Sequence, residues 1–250
     1  MKNLSKAENI LYNLGITTPY EIDLEAIAWT QNVIVKTRPL EGCEARIFGK
    51  GAVATISVNE NSSPTRQRFS IAHELGHWNN DRGMNFYCSS KDLEIGFKNS
   101  KLAERLANSF AADLLFPNFL FKPIVKQTPE LTWEVVKGVS NVFDTSLTAT
   151  AFRFIDSNEF PVMLAVYNSN LDRLWVKMSS QIPEKWYPKE SISTPQSIKW
   201  NDSGMFPVTA DYWFDQDDCD EYEIEEQTFQ YGDRILALLT IKDEHMRDLV

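Results

Sequence analysis

Only three histidines and three cysteines occur in the 250 residues, and no stretch of the chain stays apolar for long. Cys43, Cys88 and Cys219 are odd in number, far apart and form no C-x-x-C pair, which excludes a disulfide framework and a cysteine-built zinc cluster. They are expected to be reduced, packed thiols. The lack of an apolar run near 20 residues argues against a membrane-spanning helix. The opening MKNLSKAENILYNLG interleaves charged and apolar residues and offers no leader-type apolar core, so a cytoplasmic location is expected. Cations are also scarce: 25 Lys and Arg stand against 35 Asp and Glu, a net charge of −10, so no direct nucleic-acid binding through a basic surface is expected.

The acidity is local. DYWFDQDDCDEYEIEE, Asp211 to Glu226, carries nine carboxylates and no Lys or Arg, and without it the rest of the chain is at −1. Its first reading is a solvated loop, because like charges repel and stay wet. Tyr212, Trp213, Phe214 and Tyr222 within it keep open a docking surface for a basic partner or a mimic of DNA.

What the chain does have is apolar material. With 43% hydrophobic residues, a chain of this length forms one large or two small domains and buries about 70–75% of its unfolded surface, so it folds without metal. Lys6 to Leu14 suits a short helix ending at Gly15, and Asp23 caps a second over LEAIAWTQN. VIVKTR, EARIF and AVATISV then read as strands separated by turns, a small sheet over residues 33–58. From Ser63 and Pro64, an N-cap serine followed by a proline at the first helical position, the apolar period changes from two to about 3.6. Ile71, Leu75 and Trp78 form one stripe of this helix, and Phe69, His73 and His77 another. Gly76 costs roughly 1 kcal/mol in a helix interior and marks a close approach.

The helix contains HELGH. Residues at i and i+4 share a face, with Cβ atoms about 5–6 Å apart, so His73 and His77 can grip one ion, with Glu74 at the second position of the motif. A lone histidine reads better as a satisfied core residue; two at this spacing beside a glutamate read as a metal site. A catalytic zinc needs a third protein ligand and an open position. The third histidine, His245, is five residues from the C-terminus, which leaves a carboxylate: Asp81, Asp92, Glu94, Glu104 or Asp113. Glu104 is favoured. It begins the helix KLAERLANSFAADLL, shares a face with Ala107, Asn108, Ala111 and Leu115, and lacks both a capping-box register with Ser100 and a basic i+4 partner, since position 108 is Asn.

The succession RQRFSIAHELGHW and ERLANSFAADLLFP resembles the ImmA/IrrE family of zinc metallopeptidases, with its pattern R-x-R-F-x-x-A-H-E-x-G-H followed by E-x-x-A-N-x-F-A-x-x-L-L-x-P. The similarity runs from about Asp23 through VSNVFDTSLTATAFRF, roughly the first 155 residues. It implies one zinc ion held by His73, His77 and Glu104, with Glu74 as catalytic base, and a helix-turn-helix repressor as protein substrate. Zinc at such a site brings the pKa of bound water to about 7 and polarises the scissile carbonyl. An oxyanion partner is not evident after the Glu104 helix; Tyr87 in the rim segment 79–100 is the candidate, against an ordinary loop tyrosine. Arg66 and Arg68 match the family's arginines and read equally well as cations holding the domain together. AVATISV reads as an edge strand able to pair with an extended substrate.

Two further stretches complete the reading. WEVVKGVSNVFDTSLTATAFRF forms two helices around Asp144 to Ser146, but with Arg153 alone as a cation on the second it reads as a packing pair rather than a DNA reader. Beyond Pro161, PVMLAVYN, LWVKM and ILALLTI read as strands around a Pro- and Ser-rich segment, Ile182 to Pro195. The expectation is an α+β fold: a zincin-like metallopeptidase domain over residues 1–157 and a β-rich C-terminal domain over 158–250 with a regulatory or substrate-docking role. The competing function is a transcriptional regulator or protein-binding module with a structural or inactive zinc site.

Overall fold

In the computed structural model, the residues described are 4–80, 99–195 and 204–248. The chain divides into two compact units, one of Met1–Ile124 with Ser140–Ser146, the other of Val125–Val139 with Leu147–Val250. The fold is α+β throughout.

The first unit opens with α1 (Lys6–Asn13), started by a capping box in which Ser5 and Glu8 satisfy each other's backbone N–H groups. Glu8 is buried, and its second oxygen accepts the N–H of Asn118 at 2.6 Å, which ties α1 to the start of α5 (Asn118–Gln127). Asp23 caps α2 (Leu24–Thr30) through the N–H groups of Glu25 and Ala26. Three strands follow: β1 (Val33–Arg38), β2 (Ala45–Lys50) and β3 (Val53–Asn59). Their order is β1-β3-β2, with β1 parallel and β2 antiparallel to β3. The expected edge strand AVATISV is therefore the central one, and β1 and β2 are the edges. Chain order hides this, because β1 joins the β2–β3 hairpin from the far side by a parallel pairing.

Ala54, Ile56 and Val58 alternate onto the buried face of the sheet, beside Val33 and Ile47 of the paired strands. Against this face lies α3 (Pro64–Asn80). Its Trp78 ring occupies the space that a Cβ on Gly49 would take, at 2.7 Å, and its indole N–H donates to the carbonyl of Gln31. At the other end of α3, Arg68 donates to the carbonyls of Ile22 and Asp144 and pairs with the Asp144 carboxylate at 3.3 Å. Asp144 sits at φ +51°, a left-handed conformation that Asp tolerates and that these bonds hold. Arg66 lies 3.8 Å from Glu44. Arg68 thus holds distant segments of the unit together, whereas Arg66 makes an exposed ion pair that contributes little.

Packed along α3 is α4 (Asn99–Leu115). It starts ahead of Ser100, which is therefore not its cap. The two helices touch at Gly76, where a Cβ would lie 2.8 Å from Ala107 Cα and 2.9 Å from its carbonyl oxygen. Glycine in HELGH is the residue that permits this approach. Phe116, Phe121 and Phe143, with ring centroids 5.1–6.2 Å apart, close the core below α4.

The second unit is built on a five-stranded antiparallel sheet, β5-β4-β8-β7-β6, of β4 (Val162–Asn168), β5 (Arg173–Met178), β6 (Phe206–Thr209), β7 (Glu223–Tyr231) and β8 (Arg234–Thr240). Helix α7 (Leu147–Asp156) packs on β4 and β5, and Trp133, at the start of α6 (Trp133–Phe143), bonds both the side chain and the carbonyl of Gln227 in β7. On the sheet's other face, Met163, Tyr167 and Leu239 pack with Trp186, Trp213, Phe214 and Met246, the last from α8 (Glu244–Asp248). The acidic run divides between two environments. Asp211, Asp215, Asp217, Asp218, Asp220 and Glu221 are exposed, as expected of a solvated loop, whereas Glu223–Glu226 belong to β7. Glu226 is fully buried and accepts from the Trp213 indole N–H at 2.9 Å. The aromatic residues Trp213 and Phe214 are core and not a docking surface.

Candidate metal centre

The helical period places His73 and His77 one turn apart on α3, and the Gly76–Ala107 contact brings α4 close enough for Glu104 to face both. His73 Nε2 lies 3.3 Å from Glu104 Oε2, and His77 Nε2 3.3 Å from Glu104 Oε1. The two Nε2 atoms are 3.1 Å apart. Each residue offers one ligand atom, and the three atoms lie within 4.8 Å of one another. Exposure rises across the group, from 3% for the His77 side chain to 18% for His73 and 43% for Glu104, so the cluster opens to solvent on the α4 side. Two imidazole nitrogens and a carboxylate converging on one point, with an open side, form a donor set compatible with a divalent metal such as zinc.

Neighbours hold the histidines. His73 Nδ1 is 3.0 Å from Asn108 Oδ1, and its ring stacks on Phe69 with centroids 6.1 Å apart and planes 29° from parallel. The His73 and His77 rings meet edge to face at 4.7 Å.

Glu74 is not one of the three converging donors. It is 5% exposed, and its Oε2 is buried without a hydrogen-bond partner among the described residues. Burial first, and the Glu104 carboxylate second, push its pKa up from 4.5 to about 8. A buried polar atom without a partner is rare and costly, and this one sits one residue from a metal-type cluster.

Of the five carboxylates considered as third ligand, Glu104 joins the histidines. Asp113 is on α4 outside the group, and Asp81, Asp92, Glu94 and Tyr87 lie outside the described residues. His245 is exposed on α8 of the second unit. Asn108 is the residue whose contact sequence reading missed: it registers there as the Asn of the E-x-x-A-N pattern and as a neutral i+4 neighbour of Glu104, yet this same spacing brings it to His73. An apolar groove lined by Trp29, Ile34, Phe48 and Val53 includes none of these residues.

A helix-borne pair of histidines, a buried glutamate between them and a glutamate from the next helix make an arrangement of metallopeptidase type. The profile of the IrrE N-terminal-like domain family, peptidase M78, matches residues 22–154, and the chain belongs to that family. Its function is accordingly metallopeptidase-type or regulator-related. No curated protein matches it significantly in sequence. Among solved structures it is similar to a Mycobacterium tuberculosis transcriptional regulator, at 12% identity and a TM-score of 0.58, over 94% of this chain and 74% of that one, a likeness of fold. Among the described residues, no helix is long and apolar enough to cross a membrane.

Proposed function

We propose that the chain is a zinc-dependent metalloendopeptidase, with His73, His77 and Glu104 as ligands of one zinc ion, Glu74 as general base, and an intracellular helix-turn-helix repressor as substrate. The observation that carries this reading is the pairing of the three-residue donor cluster with a buried, unpartnered carboxyl at the adjacent position of the same helix. Zinc bound there supplies Lewis acidity toward water and the scissile carbonyl. Glu74 takes the proton of the attacking water and returns it to the leaving amine, the two halves of general acid–base catalysis. A positive charge beside Glu74 opposes both causes that raise its pKa, which brings the carboxylate form within reach at neutral pH.

A regulator with a structural zinc site is the second reading, favoured by the description of the M. tuberculosis neighbour as a transcriptional regulator. Glu74 argues against it, since a structural site gains nothing from a carboxyl buried without a partner.

The test is incubation of the zinc-loaded chain with purified helix-turn-helix repressors encoded by the same genome or mobile element. New peptide termini, found by mass spectrometry and abolished by a chelator, are the expected result; intact repressors beside a fully zinc-loaded chain contradict it. In the same assay the exposed acid run docks a basic substrate. Replacing Asp215, Asp217, Asp218 and Asp220 by Asn together slows cleavage at low salt and flattens its salt dependence. Equal rates across salt in variant and parent remove the docking role.

A further inference from the structure

We propose that Asn108 is a positioning residue that fixes the tautomer and ring orientation of His73. The purpose of this contact rests on the metallopeptidase reading above; its geometry does not. A neutral imidazole carries one N–H and one lone pair, and the partner of one ring nitrogen decides which atom carries which. Helix α4 addresses both nitrogens of the His73 ring from one face. Glu104 lies 3.3 Å from Nε2, and Asn108, one turn later at i+4, places Oδ1 3.0 Å from Nδ1. An amide oxygen only accepts, so Nδ1 carries the hydrogen and Nε2 turns its lone pair toward His77 Nε2 and Glu104, the point where the three donors converge.

Phe69 completes the support without replacing it. Stacked against the same ring, it restricts the plane of the imidazole but has no acceptor, so it does not distinguish Nδ1 from the carbon that would take its place after a ring flip. The bond to Asn108 makes that distinction. His77 is held differently, being almost fully buried beneath the same cluster, so loss of Asn108 acts on His73 alone.

Because Asn108 is exposed, its replacement leaves the fold standing, and Asn108→Ala and Asn108→Asp form an informative pair. In the metal-free wild type, nitrogen NMR is expected to find the neutral His73 ring with its proton on Nδ1. Asn108→Ala gives a mixture of tautomers and weakens zinc binding, measured by chelator competition, about 10- to 100-fold. Asn108→Asp, which keeps an acceptor, restores both. A wild-type proton on Nε2, a tautomer unmoved in Asn108→Ala, or an affinity for zinc equal to wild type in that variant overturns the assignment, as does an Asp variant as weak as the Ala. Should the wild type bind no zinc at all, the metallopeptidase reading fails, and the tautomer of the metal-free chain still decides the role of Asn108.

Discussion

Glu74→Gln is expected to abolish peptide hydrolysis, by about 10²–10⁴-fold or more, while leaving the zinc complement intact. The amide matches the carboxyl in shape and takes no part in the donor cluster, which is made by His73, His77 and Glu104. What it loses is the ability to accept and return a proton. The same substitution has a second signature in the metal-free chain. Glu74 holds its proton to about pH 8 when folded and releases it near 4.5 when unfolded. Between those values the folded state binds the extra proton, so stability falls as pH rises through that window, by an amount on the order of 5 kcal/mol at most from this one group. Metal-free wild type should therefore melt lower near pH 8 than near pH 5, and Glu74→Gln should flatten that slope. Zinc should stabilise the wild type more at the higher pH, because its binding releases protons. Retained turnover in Glu74→Gln removes the glutamate from the role of base, and an unaltered pH slope removes the account of its burial.

The second large effect comes from a residue that touches no ligand. Gly76→Ala places a methyl group 2.8–2.9 Å from the backbone of Ala107, which has no rotamer by which to move aside. Helix α4 must shift, and Glu104, one turn before Ala107, moves with it. Alanine favours the helix by about 1 kcal/mol over glycine, and overpacking costs about 1–3 kcal/mol, so the net fall in melting temperature is only a few degrees. The effect on metal binding is larger, because the carboxylate leaves the histidines and a three-ligand site becomes a two-ligand one. Zinc affinity is expected to fall at least as far as in Asn108→Ala, about 10- to 100-fold. Adding Ala107→Gly does not rescue it, since the clash is with Cα and the carbonyl rather than a side chain; rescue by that second substitution, or zinc affinity equal to wild type in Gly76→Ala, contradicts this role for the glycine.

These two residues also mark how far the sequence could be read. HELGH and the helix of Glu104 are legible because helical spacing is local: His73 and His77 converge by period alone, and Glu104 stands out as a carboxylate among small and apolar neighbours. The strands at 33–38, 45–50 and 53–59 are legible from turns and β-branched residues. Their order is not, because the parallel pairing of β1 with β3 is a contact between distant residues, and it moves AVATISV from the edge to the centre. The acidic run misleads in its second half for a related reason. Glu225 and Glu226 read as solvated charges until Trp213, thirteen residues earlier than Glu226, is seen to donate to a carboxylate inside the sheet. Gly76 is visible as an anomaly in a helix, but the backbone that demands it belongs to α4.

The proposed activity depends on one metal ion at one place. Metal content of the freshly purified wild type, beside its His73→Ala and Glu104→Ala variants, tests this most directly, with circular dichroism as the check that all three are folded. About one zinc per chain in the wild type, lost in both variants, is the predicted result. A wild type that is folded and metal-free, or variants that keep their zinc, would show that HELGH here is a packed helix and not a catalytic one.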